Sequence, residues 1–318
     1  MPTNLMDKER ALSYFRFVFG SEKPGTGSST AVLLFSQRLD LKAFSSSSVH
    51  RAIVAHYVDW TQKNHYEDSQ VTWDFFENLY LHSPNKVELI EKYLDNSLSG
   101  ERALVRFKEN QQTFSKNLEF WTKIPDIFSH EALSTYHIIE GKLAVIIDQI
   151  IGDFPSGVHF VFRIFLTADP EVSAERVLNR KIAKGEVARP TSNEEKQILL
   201  KQTIENNEKR IKGDKASYSK TYSTNLLTGQ PISFELKKDL EKRDDVLVID
   251  TTEKDPEQVF AEILSYVRRL LTIMKGSSPA LDGAAWQALR EIEYKEDHDW
   301  QNVPWTEGLE EYWGETKP

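Results

Sequence analysis

The chain has 318 residues, is 39% hydrophobic and 28% charged, and carries a net charge of −9 at pH 7. A chain of this size and composition can bury one large α/β core or two smaller ones. The absence of cysteine excludes a disulfide framework and a thiolate metal site, and the negative charge argues against general nucleic-acid binding. Because the sequence shows neither a basic-then-apolar leader nor an apolar run of membrane-spanning length, we expect a cytoplasmic protein with no membrane contact.

An apolar segment that ends in a small-residue loop is the most informative part of the sequence. Residues 15–19 predict a buried strand and residues 31–39 a helix, with glycines between them. Such a loop turns consecutive backbone N–H groups inward, and the helix that follows points its positive dipole end at the same place. We therefore expect a polyphosphate to contact the loop residues Gly25, Thr26, Gly27, Ser28, Ser29 and Thr30, with the Ser29 hydroxyl on Mg²⁺.

This loop departs from the pattern G-x-x-x-x-G-K-[ST] at two positions. Glu22 replaces the first glycine, and Ser28 replaces the lysine that reaches the transferred phosphate. The loop alone fits an ordinary strand-to-helix turn as well as a phosphate site. Lys23 lies at the start of the loop, and its side chain can either extend toward the β- and γ-phosphates or point to solvent, the orientation that we expect.

Alternating strand and helix patterns predict a doubly wound parallel sheet of about five strands with helices on both faces. Residues 158–166 are almost continuously apolar, which favours a strand that is covered on both faces. The predicted strands are 15–19, 41–44, 135–140, 158–166 and 245–250. Between the second and third strands, residues 71–123 have a helical pattern without a chemical motif, and we interpret them as a helical insertion.

Several cations occupy positions where a phosphate could bind. Arg51 lies in the first turn of a helix that begins after the serine-rich turn 45–48, and Lys142 follows the predicted strand 135–140. Arg176 and Arg180 lie one turn apart on a helix that starts at Pro170, so they form either a phosphate clamp or a solvated stripe. A capping box then predicts a long polar helix that ends near residue 220, and we interpret residues 176–220 as a lid.

The last 43 residues differ in composition from the body, so we divide the chain into a domain at 1–275 and a tail at 276–318. The tail has ten acidic and three basic side chains, and it contains four of the seven tryptophans. A disordered acidic segment seldom carries so many aromatic residues. We therefore expect the tail to dock on the body or on a protein partner.

Several segments, taken in order, resemble the cytidylate kinase branch of the P-loop nucleoside monophosphate kinases. The segment Ile164 to Arg176 is the closest match, and Arg210, Asp214 and Tyr218 fit the spacing of that family's R-x-x-x-D-x-x-R-Y signature. The other matching segments are 23–30, 44–51, 139–144 and 248–251. The resemblance extends over residues 14–272, apart from the helical insertion.

This resemblance implies a P-loop kinase fold and in-line transfer of the γ-phosphoryl of ATP, with Mg²⁺, to CMP, dCMP or a similar nucleotide. By the same resemblance, the residues with roles in binding and transfer are Arg51 and Lys142 for the acceptor phosphate, Asp214 for the acceptor nucleoside, and Arg176, Arg180 and Arg210 for the transferring group. Lys23 would substitute for the missing loop lysine only in the alternative in which its side chain extends toward the phosphates instead of to solvent. Because Ser48, Lys142 and Ser217 also depart from the family pattern, a pseudokinase that only binds nucleotide or protein is the alternative.

Overall fold

A computed structural model describes residues 15–39, 41–47, 52, 56, 63, 130, 132–147, 150, 154, 160–222 and 235–275. The predicted helical insertion 71–123, the tail 276–318 and Arg51 lie outside these described residues. The division of the chain at residue 275 therefore stays a prediction.

The described residues form an α/β structure around a five-stranded sheet, as the sequence predicts. The strand order is β2-β3-β1-β4-β5, and every neighbouring pair is parallel. The strands are β1 Phe15–Ser21, β2 Ala43–Ser45, β3 Ile138–Glu140, β4 Phe160–Thr167 and β5 Val246–Asp250. The apolar strand β4 lies between β1 and β5, in the interior of the sheet, as its composition indicates.

Two strands are shorter than predicted at their amino ends because turns use the preceding residues. The Leu41 N–H donates to the Ser36 carbonyl at 3.0 Å, which closes a turn before β2. The Tyr136 N–H donates to the Ala132 carbonyl at 2.7 Å, so residues 133–136 complete a turn and β3 begins at Ile138. Neither turn has a glycine or proline that would have marked it in the sequence.

The helices lie in the connections between strands, except the last, which follows β5, and capping groups explain where the two long helices after β4 begin. They are α1 Ser28–Leu39, α2 Pro170–Ala183, α3 Asn193–Thr221, α4 Leu236–Leu240 and α5 Pro256–Lys275, with a 3₁₀ helix at Ala144–Ile146. Asp169 caps α2 by accepting from the Glu171 N–H at 2.7 Å, and Pro170 occupies the first turn. Ser192 caps α3 by accepting from the Glu195 N–H at 3.1 Å, which confirms the predicted helix start. None of the helices that the structure describes is long and apolar enough to cross a membrane.

Phenylalanines on alternate positions of β1 form the centre of the main core. Phe17 stacks on Phe162 of β4 with ring centroids 5.0 Å apart, and Phe35 of α1 meets Phe17 edge-on at 4.9 Å. Helices α1 and α5 cover this face of the sheet. On the opposite face, a Cβ at Gly20 would lie 3.1 Å from the Val145 side chain, so the 3₁₀ helix packs directly on the strand. The sheet therefore has helices on both faces. A ligand site is expected at the carboxyl ends of the strands, where open α/β sheets bind their ligands.

Candidate functional site

The loop between β1 and α1 has the backbone that the sequence predicts for a phosphate loop. Gly25 and Gly27 have φ angles of 83° and 85°, a region that other residues rarely adopt. A Cβ at Gly25 would lie 2.3 Å from the Ser173 carbonyl oxygen, whereas a Cβ at Gly27 would meet nothing within 4 Å. Gly25 is thus required for close packing against α2, and Gly27 is required only by its backbone conformation.

The first turn of α1 offers backbone donors beside this loop. The first intrahelical bond runs from the Ala31 N–H to the Gly27 carbonyl at 2.9 Å. Within the described part of the chain, no backbone hydrogen bond uses the N–H groups of residues 28–30. With the positive end of the helix dipole, these groups can bind an anion.

Hydrogen bonds from α2 and from the end of β5 hold the loop in place. The buried Thr251 hydroxyl donates to the Thr26 carbonyl at 2.8 Å. The Arg176 guanidinium donates to the Thr251 carbonyl at 2.8 Å and to the Gly25 carbonyl at 3.4 Å. The Ser173 hydroxyl donates to the Pro24 carbonyl at 2.5 Å. The loop conformation is therefore fixed before any ligand binds.

Different environments surround the three arginines that were predicted to contact the transferring group, Arg176, Arg180 and Arg210. Arg176 faces the loop and is bound to its backbone, whereas the Arg180 side chain is exposed. The sequence left both a phosphate clamp and a solvated stripe open for this pair, and the structure fits neither in full, because Arg176 contacts the loop backbone and Arg180 is exposed. Arg210 is 61% exposed and lies 3.9 Å from Asp214. In this structure Arg176 positions the loop, a role that the sequence did not indicate.

A carboxylate at the end of β3 contacts the serines at the start of α1. Ser28 Oγ donates to Glu140 Oε1 at 2.7 Å, and Ser29 Oγ donates to the same oxygen at 2.9 Å. Among the described residues, no hydrogen bond uses the second oxygen of Glu140. Glu140 was not among the predicted site residues, although its position at the carboxyl end of a parallel strand was a usable signal.

The donor set at this point is suited to Mg²⁺ bound together with a phosphate. Mg²⁺ usually takes one or two carboxylates, keeps several waters and completes its shell with substrate phosphates. The Glu140 carboxylate and the Ser29 hydroxyl meet that requirement. No group of three or more His, Cys, Asp or Glu residues that could bind a metal by itself occurs among the residues that the structure describes.

Lys142 lies in a half-buried ionic cluster beside the loop. Its ammonium contacts the Asp214 carboxylate of α3. The pKa of Lys142 is lowered to about 7, mainly by burial and to a smaller extent by the nearby Arg210, while Glu22 opposes both effects. The structure thus brings together two predicted acceptor-site residues, Lys142 and Asp214, whereas Arg51 lies outside the described residues.

A cavity of about 750 Å³ adjoins the loop on the side of β4 and β5. Its wall consists of loop residues, the ends of the two strands with the segments that follow them, and one lysine of α4. The residues are Glu22, Lys23, Thr26, residues 166–170, Lys237, Asp250 and residues 252–254. The connections from β1 and from β4 leave in opposite directions, so this opening lies at the topological switch point of the sheet. Ligands of open α/β sheets bind at that position.

From the sequence we expected the Lys23 side chain to point to bulk solvent. In the structure it lines this cavity. The side chain is half-buried, and burial lowers its pKa although Glu22, Asp169 and Asp250 oppose that shift. The lysine is kept at the cavity because Glu22 and the carboxylates at the ends of β4 and β5 attract its ammonium. Lys23 therefore places a positive charge at the edge of the loop, although position 28, where the pattern has lysine, is a serine.

No family model and no curated protein matches this chain. Among solved structures, the chain is similar to an uncharacterized protein from Eubacterium ventriosum ATCC 27560. The two are 14% identical, the match covers 80% of this chain and 99% of that chain, and the TM-score is 0.37. A similarity at this level carries no argument about fold or function, so the interpretation of the site depends on its own geometry.

Proposed function

We propose that the chain binds a nucleoside triphosphate with Mg²⁺ at residues 23–30 and transfers the γ-phosphoryl to a nucleoside monophosphate. The observation that carries the proposal is the arrangement of the loop with Glu140. Two glycines with positive φ angles precede a helix whose first N–H groups have no partner among the described residues, and Ser29 lies 2.9 Å from Glu140. Backbone donors, a hydroxyl and a carboxylate together match the requirements of a metal-bound polyphosphate.

The cavity supports the nucleoside part of this proposal. A volume of about 750 Å³ is within the usual range for small-molecule sites, and the cavity opens beside Thr26 and Lys23. A triphosphate bound at the start of α1 would place its nucleoside in this direction. Lys23 would then lie close to the phosphates, where its ammonium would be stabilised by their charge.

The acceptor side is supported by Lys142 and Asp214. In the absence of a ligand, the Lys142 ammonium contacts the Asp214 carboxylate, and burial lowers the pKa of Lys142 to about 7. An acceptor phosphate would provide a stronger counter-charge at the same ammonium. The resemblance to cytidylate kinases favours CMP or dCMP as the acceptor, and Arg51, outside the described residues, would be its second phosphate ligand.

One specific observation favours the alternative of a pseudokinase. Ser28 occupies the position of the lysine that neutralises the transferred phosphate, and its hydroxyl is engaged by Glu140 at 2.7 Å. Phosphoryl transfer depends on neutralising charge that develops between donor and acceptor. A site that lacks this cation can retain nucleotide binding and lose turnover.

A coupled assay of ADP release together with thermal melting distinguishes the possibilities. The assay uses CMP, dCMP, UMP and AMP as acceptors, and melting is measured with and without MgATP. Binding at one hundred times the dissociation constant stabilises the fold by about 2.7 kcal/mol, which melting detects readily.

A melting shift with turnover supports the kinase, and a shift without turnover supports the pseudokinase. Absence of any shift at millimolar MgATP refutes the kinase and the nucleotide-binding form of the pseudokinase, and leaves only a protein-binding role. Ser29→Ala should reduce the shift, whereas the exposed Ser219→Ala in α3 is the matched control and should leave it unchanged.

A further inference from the structure

Two consecutive residues of α3 form ion pairs with residues that follow two neighbouring strands. Lys215 Nζ lies 2.9 Å from Glu22 Oε1, just after β1, and Asp214 contacts Lys142, just after β3. Helix α3 contributes the lysine to the first pair and the aspartate to the second. This crossed arrangement attaches one turn of α3 to the phosphate loop and to the sheet edge beside it.

Glu22 makes this attachment relevant to an anion site. Its carboxylate stands where the phosphate-loop pattern has its first glycine, and it also lines the cavity beside the loop. A negative charge at this position repels a polyphosphate, because like charges that are partly removed from water interact strongly. The side chains of Glu22 and Lys215 are 25% and 39% exposed, so solvent screens their pairing only in part.

We propose that Lys215 is a positioning residue that acts through Glu22. Its ammonium cancels the charge of Glu22 and anchors α3 beside the phosphate loop. This inference rests on the proposed function, in which the loop binds a nucleoside triphosphate. It assigns to Lys215 a role that neither the motif spacing nor the family signature indicates, because the signature positions in α3 are Arg210, Asp214, Ser217 and Tyr218.

The proposal predicts that removing Lys215 is harmful only while Glu22 keeps its charge. Lys215→Ala removes the ammonium that is paired with Glu22, so the carboxylate at the loop is less compensated and MgATP binding weakens by about five- to tenfold. The double variant Glu22→Gln with Lys215→Ala removes both charges and returns the affinity to within about twofold of the parent. Exchanging the charges, with Glu22→Lys and Lys215→Glu together, restores the ion pair and therefore the anchoring of α3.

Hydrogen exchange of the ligand-free full-length chain tests the anchoring without any nucleotide. Lys215→Ala should speed exchange of the α3 amides near residue 215 by about three- to fivefold, because a partly exposed ion pair contributes modestly to local stability. The charge exchange should reverse this effect. Lys212→Ala is the matched control, since Lys212 is an exposed lysine of the same helix with no ion pair among the described residues, and it should change neither readout.

Two results would overturn the proposal. If exchange in α3 is the same in Lys215→Ala and in the parent, Lys215 is not an anchor. If the double variant binds MgATP as weakly as Lys215→Ala alone, Lys215 contacts the phosphates directly instead of acting through Glu22. Failure of the parent itself to bind MgATP would refute the proposed function, and hydrogen exchange would then decide the anchoring by itself.

Discussion

Gly25 and Gly27 provide a matched pair of substitutions that tests how tightly the loop between β1 and α1 packs on α2. Both residues have φ angles near 84°, so alanine at either position has the same backbone penalty of about 1–2 kcal/mol. They differ in their surroundings. A Cβ at Gly25 would lie 2.3 Å from the Ser173 carbonyl oxygen, whereas a Cβ at Gly27 would meet no atom within 4 Å.

The difference between the two variants can be worked out from the bonds that hold the loop. Alanine at Gly25 must push the loop away from α2, which breaks the bonds from Ser173 to Pro24 and from Arg176 to Gly25. Each hydrogen bond contributes about 1 kcal/mol, so Gly25→Ala should cost about 3–4 kcal/mol in total. Gly27→Ala should lower the free energy of unfolding only by the backbone penalty of about 1–2 kcal/mol.

Urea unfolding of both variants, followed by circular dichroism, measures this difference. The expected result is that Gly25→Ala lowers the free energy of unfolding by about 2 kcal/mol more than Gly27→Ala does. Equal costs, or a larger cost at Gly27, would refute the inference that packing against Ser173 selects the glycine at position 25.

Three further predictions concern the rest of the site and the tail. Thr251→Val should lower the free energy of unfolding by about 1–3 kcal/mol because the Thr26 carbonyl and the Arg176 guanidinium lose a buried partner, and Thr251→Ser, which keeps the hydroxyl, should lower it much less. Burial lowers the pKa of Lys142 from 10.5 to about 7, so between these two pH values the unfolded chain binds more protons than the folded chain. The free energy of unfolding of the parent should therefore rise with pH in this window relative to that of Lys142→Met, as measured by unfolding at a series of pH values. A parallel pH dependence in both proteins would contradict that burial. Deleting residues 277–318 should lower the melting temperature or expose apolar surface to a fluorescent dye, and an unchanged melting curve would show that the tail does not dock on the body.

The sheet could be predicted from the sequence because its central strands are covered on both faces. Residues 15–19 and 158–166 are nearly continuous apolar runs, a pattern that a strand in the middle of a parallel sheet requires. The amino ends of β2 and β3 could not be predicted in the same way. Backbone bonds from Leu41 and Tyr136 end the preceding turns, and these bonds depend on tertiary positions rather than on turn residues.

The site could be predicted only where local sequence determines the backbone. The turn at Gly25 and Gly27 was identified because it follows from a short spacing in one segment, whereas α1 begins at Ser28, three residues before the predicted start. Glu140 and Thr251 were missed because their roles depend on contacts across more than 100 residues of chain. The partner of Lys215 was also invisible in the sequence, since Glu22 lies on a different element.

Calorimetric titration of MgATP into the full-length chain tests the central claim most directly. The account predicts saturable binding of one nucleotide per chain that weakens without Mg²⁺ and in Ser29→Ala, because Ser29 and Glu140 provide the metal ligands beside the loop. Ser219→Ala should bind as the parent does. Absence of saturable heat for the parent, or equal affinity with and without Mg²⁺ in every variant, would contradict the assignment of residues 23–30 as a site for a metal-bound triphosphate.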